Sequence, residues 1–476
     1  MTIPTDAQIV DLVAPILLRH GVPGAAIALV TKDGARTIGI GTLGDGKDSA
    51  VSDCDCFQIA SLTKAYTATA VATLVARGEL GWDDTVQTHI PDFRLYDPRV
   101  SELATVRDLL SMRLGLRGEG VFHWGRNHEL GVEAVLERLP FVQPVAGFRE
   151  TLTYYNPAYT LLADIVARRS GMTFETYLDE AVFTPLGLAD SVMRTGRTEP
   201  LSGKRFAMPH VVLDEGVVPL GELRCGGHLG ESGIYSSAHD AVRWMQFHLG
   251  RGTIDGKAIL PDTVAAEMHQ PHVLARGAQA LGHDFIAYGM GWQIRDTSGG
   301  AILVHEGGEF GISSYTILHP AGGTGVCVYL NANVPVASRS VAHILHDMMG
   351  DLPVRDWETR FISLADQERS AIAAYAAAAF PTDGDEPSLA DIAGEYADPV
   401  NGVIEIRADA EGVVMTVLDG WVYDARLTSL GGGTYRVHCH YAGTRSLARG
   451  LNLARFQKGP SGMTLSLPGL GTIAKR

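Results

Sequence analysis

Apolar positions over residues 7–20 recur with a helical period and stop near Gly21, which predicts an amphipathic helix. The periodicity then shortens. Ala25 to Thr31 and Arg36 to Gly41 read as strands, and Lys32-Asp33-Gly34 between them is a hairpin turn. A short apolar segment with polar alternation, Cys56 to Ala60, precedes a run rich in Ala and Thr, Ala65 to Ala76, that stops at Gly78, a natural helix C-cap. Further helices are predicted from the N-cap signal at Thr105 to Leu110, from Asn156 to Ser170 and from Ser237 to Leu249. Strand character returns at Ala301–His305, Ser313–Leu318 and Gly325–Leu330, spaced as an antiparallel meander. Two strands near the start and three near residue 320 predict one sheet built from both ends of an α+β domain, flanked by helices and carrying a helical insertion.

A helical stretch from Trp357 to Phe380 leads into Pro381-Thr382-Asp383-Gly384-Asp385-Glu386-Pro387, the best linker in the chain. Beyond it the pattern changes to short alternating runs at Val403–Arg407, Gly412–Val417, Ala425–Leu430, Thr434–His438, Leu451–Phe456 and Met463–Leu467, separated by glycine-rich turns. Such spacing predicts an antiparallel β-sandwich or barrel. The expected organisation is thus a domain over 1–350, a connector over 351–387 and a β-domain over 388–476, as the 476-residue length also favours more than one core.

A net charge of −15 argues against nucleic acid or an anionic membrane as partner. No run approaches a membrane span, and Met1 to Asp6 begin no signal peptide, so a cytoplasmic location is expected. The five cysteines (Cys54, Cys56, Cys225, Cys327, Cys439) are scattered, lack the spacing of a zinc site and read as reduced thiols. No cofactor and no metal are expected.

The chemistry concentrates at Ser61-Leu62-Thr63-Lys64. With Ser61 in the first turn of a helix, Lys64 lies one turn on, on the same face, within reach of the hydroxyl. A serine hydroxyl is a weak nucleophile at neutral pH and needs such a neighbour as base or supporting charge. An N-capping serine followed by a surface lysine would give the same tetrapeptide. Two further motifs support the first reading. Tyr154-Tyr155-Asn156 precedes a helix, and a tyrosine near Lys64 can act as general base and return the proton to a leaving group, with Asn156 bonding Lys64 or a substrate carbonyl. His305-Glu306-Gly307-Gly308 reads as a strand end whose glycines let a substrate approach, with His305 a catalytic candidate beside Ser61, Lys64 and Tyr154, and an N–H there can complete an oxyanion hole with that of Ser61. Glu306 and Glu309 are candidate anchors for a substrate ammonium group. Phe122 to His128, with His123, Trp124, Arg126 and His128, reads as a pocket wall or an ordinary loop.

Residues 10 to 350 resemble the serine β-lactamase and penicillin-binding-protein superfamily, most of all class C-type hydrolases, D-aminopeptidases and related esterases. The likeness rests on the three boxes and on Val22-Pro23-Gly24-Ala25-Ala26, Gly78 to Asp84, Thr105 to Leu110 and Ser232 to Asp240. It implies a β-lactamase/transpeptidase-like fold, an acylated Ser61, a proton-handling pair of Lys64 and Tyr154, and Gly308 as second oxyanion donor. One departure stands out. Penicillin-binding proteins and class C β-lactamases usually place at position 305 a lysine that helps hold a substrate carboxylate, and here it is histidine. The segment around Ile392-Ala393-Gly394-Glu395-Tyr396, with the strand pattern after it, resembles the lipocalin-like barrel appended to some of these relatives. The expected activity is cleavage of a small peptide or other amide substrate, with an ester as the alternative. The barrel is expected to cover the cleft or to mediate homo-oligomer assembly.

Overall fold

The structure, a computed structural model, describes residues 2–44, 49–116, 131–194, 203–213, 216–220, 229–276, 285–297, 299–309, 311–350, 353–417, 424–441, 444–445, 453–460, 462–467 and 471–476. Phe122–His128 and Cys225 lie outside these, as do the side chains of Glu309 and Cys439. The described residues fall into two compact units, 2–116 with 144–362 and 131–143 with 363–476.

The first unit is organised by an eight-stranded antiparallel sheet. The hairpin Gly24–Thr31 and Gly34–Gly41 pairs through its first strand with Thr324–Leu330, in the register Ala25 opposite Leu330 to Val30 opposite Gly325. The meander continues through Ile312–His319 and Ile302–Glu309, so both ends of the domain build one sheet, as the pattern predicts. Gln293–Arg295, Ile286–Tyr288 and Val273–Leu274 extend it further. Each of these is two or three residues long, too short to display a period of two. Every residue of Gly24–Thr31 is buried, which is why that strand reads as a continuous apolar run.

Helices cover both faces. Asp6–Arg19 and Pro335–Met349 pack on one, and Ala238–Leu249 packs on the other. The helix Thr63–Ala76 joins the second layer, its Tyr66 ring stacked on Trp244 with centroids 3.6 Å apart. Its residues from Thr63 to Leu74 are all buried, so no polar face is required. Small Ala and Thr side chains allow that close packing, and Thr67 and Thr69 turn their hydroxyls onto backbone carbonyls at 2.7 and 2.9 Å, the first at Gly230 and the second at Ala65.

Thr105 caps its helix as expected, in a box where Asp108 reaches back to the Thr105 N–H at 2.9 Å. Asp108 also accepts from Arg113 Nε at 2.5 Å and from Arg149 at 2.9 and 2.7 Å while wholly buried. Burial opposes its charge, but the two arginines outweigh that cost and hold the carboxyl below the usual carboxylate range.

In the second unit eight strands follow one another antiparallel from Gly394–Asp398 to Gly471–Ala474, with Thr444–Arg445 paired at the side. A bridge between Tyr396 and Lys475 joins the ends, so the sheet is a nearly closed barrel of lipocalin-like type. Alternate residues such as Ile404, Ile406, Met415, Tyr435, Phe456 and Leu465 fill its interior. The first and last strands add to the runs expected from the sequence. Among the described residues no helix is long and apolar enough to cross a membrane.

Asp108→Asn should cost the first unit about 3 kcal/mol or more, because two guanidinium groups lose their buried counter-charge. The wild-type carboxylate contributes fully above about pH 4 and less as pH falls toward its depressed folded pKa, so urea unfolding should show the gap closing in acid. A gap below about 1 kcal/mol at pH 7 would reduce the cluster to a surface ion pair.

Candidate active site

The nucleophile is set by a tight sequence of backbone constraints. Phe57–Gln58 pairs with Ile234–Ser236, and the Ile59 N–H donates to the Ile234 carbonyl at 3.0 Å. Ala60 then adopts the left-handed region with φ of 45°, an unfavourable conformation for a residue with a Cβ. Ser61 follows in a 3-10 turn, Ala60–Leu62, one step ahead of the α-helix Thr63–Ala76 rather than inside its first turn. The tighter turn arises because the chain must leave the strand and reverse over Ala60 before the helical ladder starts.

Lys64 has no solvent exposure. Its Nζ donates to Ser61 Oγ at 2.9 Å and to the Glu231 carbonyl at 3.1 Å. It lies 5.1 Å from the centre of the Tyr154 ring and 5.7 Å from that of Tyr159. The serine, the lysine and Tyr154 of the first two boxes therefore meet at one place. Tyr154 and Asn156 are half-buried, Asn156 at the start of the helix Pro157–Ser170.

The third box does not end a strand. Ile302–Glu309 runs through it, with Gly307 opposite Ser314 and Gly308 opposite Ser313. Strand geometry persists because the neighbouring strand continues to pair. Glycine at 307 serves close approach: a Cβ there would lie 2.2 Å from the Ile59 carbonyl oxygen and from Ser314 Oγ. Ser314 itself donates to that carbonyl at 2.8 Å, tying the strand to the nucleophile turn. Gly308, next along, is exposed.

His305 is buried, with its ring centroid 6.4 Å from that of Tyr154. Its Nδ1 lies 2.8 Å from the Glu306 carbonyl, which has no proton to give, so Nδ1 carries the hydrogen. Nε2 is then the acceptor for the Tyr288 hydroxyl at 3.0 Å. Burial, and after it the charge of Lys64, lowers the His305 pKa to about 3. The imidazole is neutral at physiological pH and both its nitrogens are engaged.

Glu306 does not belong to this pocket. Successive strand residues face opposite sides of a sheet, and Glu306 faces away from His305, toward the helix Pro335–Met349. There it accepts from Arg339 Nε at 2.7 Å and lies 2.6 Å from Nη2. Desolvation opposes its charge, but Arg339 and Arg295 hold the carboxyl below its usual range. Its cross-strand partner Tyr315 accepts from Arg295 at 3.2 Å on the same face. The expectation that Glu306 attracts a substrate ammonium group is corrected by this alternation.

Four contributors carry no motif: the Glu231 carbonyl, Tyr159, Tyr288 and Gly291. Gly291 has φ of 76°, and a Cβ there would lie 2.7 Å from Ala65 Cα, so it admits the nucleophile helix. A glycine set between the bulky Met290 and Trp292 is the one local sequence signal available for any of them.

The beta-lactamase family profile matches residues 6–347. Penicillin-binding protein 4 of Amycolatopsis lactamdurans is 30% identical over 347 residues, covering 70% of this chain and 86% of that protein. The unguisins hydrolase ungD of Aspergillus violaceofuscus is 25% identical over 442 residues, covering 86% of this chain and 77% of its own length. Among solved structures, the octameric penicillin-binding protein homologue from Pyrococcus abyssi superposes with a TM-score of 0.66 at 19% identity, covering 99% of this chain and all of that one. The shared fold therefore includes the C-terminal barrel. A buried lysine bonded to the serine three residues before it, in a chain matched by that profile almost from end to end of its first unit, makes this protein a serine hydrolase of the beta-lactamase and penicillin-binding-protein family.

Proposed function

We propose that the protein cleaves peptide or other amide bonds through an acyl-enzyme on Ser61. The observation that carries this reading is the 2.9 Å bond from a wholly buried Lys64 to the Ser61 hydroxyl. The positive charge of Lys64 beside Tyr154 favours a phenolate that accepts the Ser61 proton as Oγ attacks the substrate carbonyl. The N–H groups of Ser61 and Gly308 then receive the oxyanion. Collapse of the tetrahedral intermediate expels an amine, which leaves only when protonated, and Tyr154 returns the proton to it. Water repeats the cycle on the acyl-enzyme and releases the acid. Asn156 orients the substrate carbonyl or Lys64.

His305 sets the electrostatics of the substrate end. A neutral ring with both nitrogens engaged offers no cation for a substrate carboxylate where the family usually has lysine. The reading therefore favours acyl donors with no free carboxylate beside the scissile bond, such as internal or amidated peptide bonds. The same neutrality suits carboxylic esters, which are the second reading. An alkoxide leaves without full protonation, so the two readings separate on Tyr154.

Lys64→Ala and Tyr154→Phe should each lower kcat by about a hundredfold or more on a p-nitroanilide substrate, and the double variant should fall far short of the product of the two losses. Tyr154→Phe should cost amides more than p-nitrophenyl esters. Equal losses on both would remove Tyr154 as the acid that frees the amine.

His305→Lys should lower KM about tenfold or more for substrates bearing a free carboxylate relative to their amidated forms, the worth of a charge-assisted hydrogen bond. An unchanged ratio of KM values would mean that position 305 does not face the substrate.

A further inference from the structure

We propose a second, non-catalytic site in the first unit: a divalent transition-metal site of the zinc class, formed by Asp190, His239 and Asp240. The three potential ligand atoms lie within 4.8 Å of one another. His239 Nδ1 is 3.6 Å from Asp190 Oδ2 and 3.4 Å from Asp240 Oδ1, longer than an ordinary hydrogen bond and of ion-pair length when the ring is protonated. Those separations have a simple meaning. Metal bonds of about 2.0–2.2 Å in a tetrahedron place neighbouring ligand atoms about 3.3–3.6 Å apart.

The state of Asp240 points the same way. Its side chain has no solvent exposure. Oδ2 accepts three hydrogen bonds, from the Asp190 N–H at 2.8 Å, the Ser191 N–H at 2.6 Å and the Ser191 hydroxyl at 2.8 Å. Oδ1 has no hydrogen-bond partner among the described residues and is directed at His239. A buried carboxylate oxygen left without a donor is costly, and a cation is the partner that removes the cost.

The surroundings hold the ligands as a metal site requires. Ser237, the N-cap of the helix Ala238–Leu249, donates its hydroxyl to Asp190 Oδ2 at 2.8 Å and accepts the Asp240 N–H at 3.1 Å. The His239 N–H is fixed on the Asp53 carbonyl at 2.9 Å. Negative potential is concentrated here: desolvation and then the charges of Asp190, Asp53 and Asp240 raise the nearby Cys54 thiol to about 11. His239 is half exposed, so an ion can enter from solvent and keep water as its fourth ligand. One imidazole with two carboxylates selects zinc-like ions over calcium or magnesium, which take oxygen ligands.

The position gives the ion a structural role. Asp190 leads into Val192–Met193, which pairs with Ile234–Ser236, and that strand also pairs with Phe57–Gln58 ahead of Ser61. An ion would join the 189–191 turn to the start of the helix Ala238–Leu249 and take no part in the reaction at Ser61.

The test uses the full chain stripped with EDTA and titrated with Co²⁺ and Zn²⁺. One equivalent of Co²⁺ should bind with the intense visible absorption of a four-coordinate ion, and Zn²⁺ should displace it. Zn²⁺ should also raise Tm as a ligand of the folded state alone does. His239→Ala and Asp190→Asn should each weaken binding by at least about tenfold and abolish the Tm rise, whereas Cys54→Ser should leave both intact. His239 is half exposed and Asp190→Asn preserves shape, so both variants are expected to fold, which circular dichroism checks. Absence of stoichiometric binding, or binding that survives in both variants, would overturn the site and leave a histidine between two aspartates.

Discussion

The bond between Lys64 and Ser61 is the interaction on which the arrangement of the first unit depends. An amino group with no access to water is costly unless its hydrogens find acceptors, and Lys64 finds the serine hydroxyl and the Glu231 carbonyl. Meeting that demand requires the helix Thr63–Ala76 to be buried on nearly every side. Burial in turn requires small residues along it and a glycine at 291 where another chain segment crosses. The left-handed Ala60 and the glycine at 307 are consequences of the same crowding, since the serine must be presented at the tip of a strand that has almost no room to turn.

The strand Ile302–Glu309 separates two electrostatic environments. One face carries a neutral His305 close to Lys64 and Tyr154, where a second cation would compete with the first. The other carries Glu306 with Arg339, Arg295 and Tyr315, a charged network packed under the helix Pro335–Met349. Alternation along one strand keeps these apart by little more than the thickness of a sheet. A net charge of −15 therefore says little about the site itself, which is governed by one buried lysine.

Much of this was legible in the sequence because it is locally encoded. The N-terminal hairpin, the meander and most barrel strands follow from a period of two with turn residues between, and the helices from caps such as Thr105. The serine and lysine are legible because helical spacing alone brings them together. Glu231, Tyr159 and Tyr288 are not, since the first contributes a backbone carbonyl and the others arrive by packing between distant segments. The three short strands between 273 and 295 are too brief to show a period. Glu306 is different: the strand continues past residue 305, and counting faces from His305 along it puts Glu306 on the side opposite the pocket.

The most direct test of the central claim is intact-protein mass spectrometry during turnover of a slowly deacylated amide, followed by peptide mapping. The wild type should carry a covalent acyl adduct on Ser61, with no adduct and no turnover in a folded Ser61→Ala protein. An adduct on another residue, or undiminished turnover in Ser61→Ala, would contradict that claim.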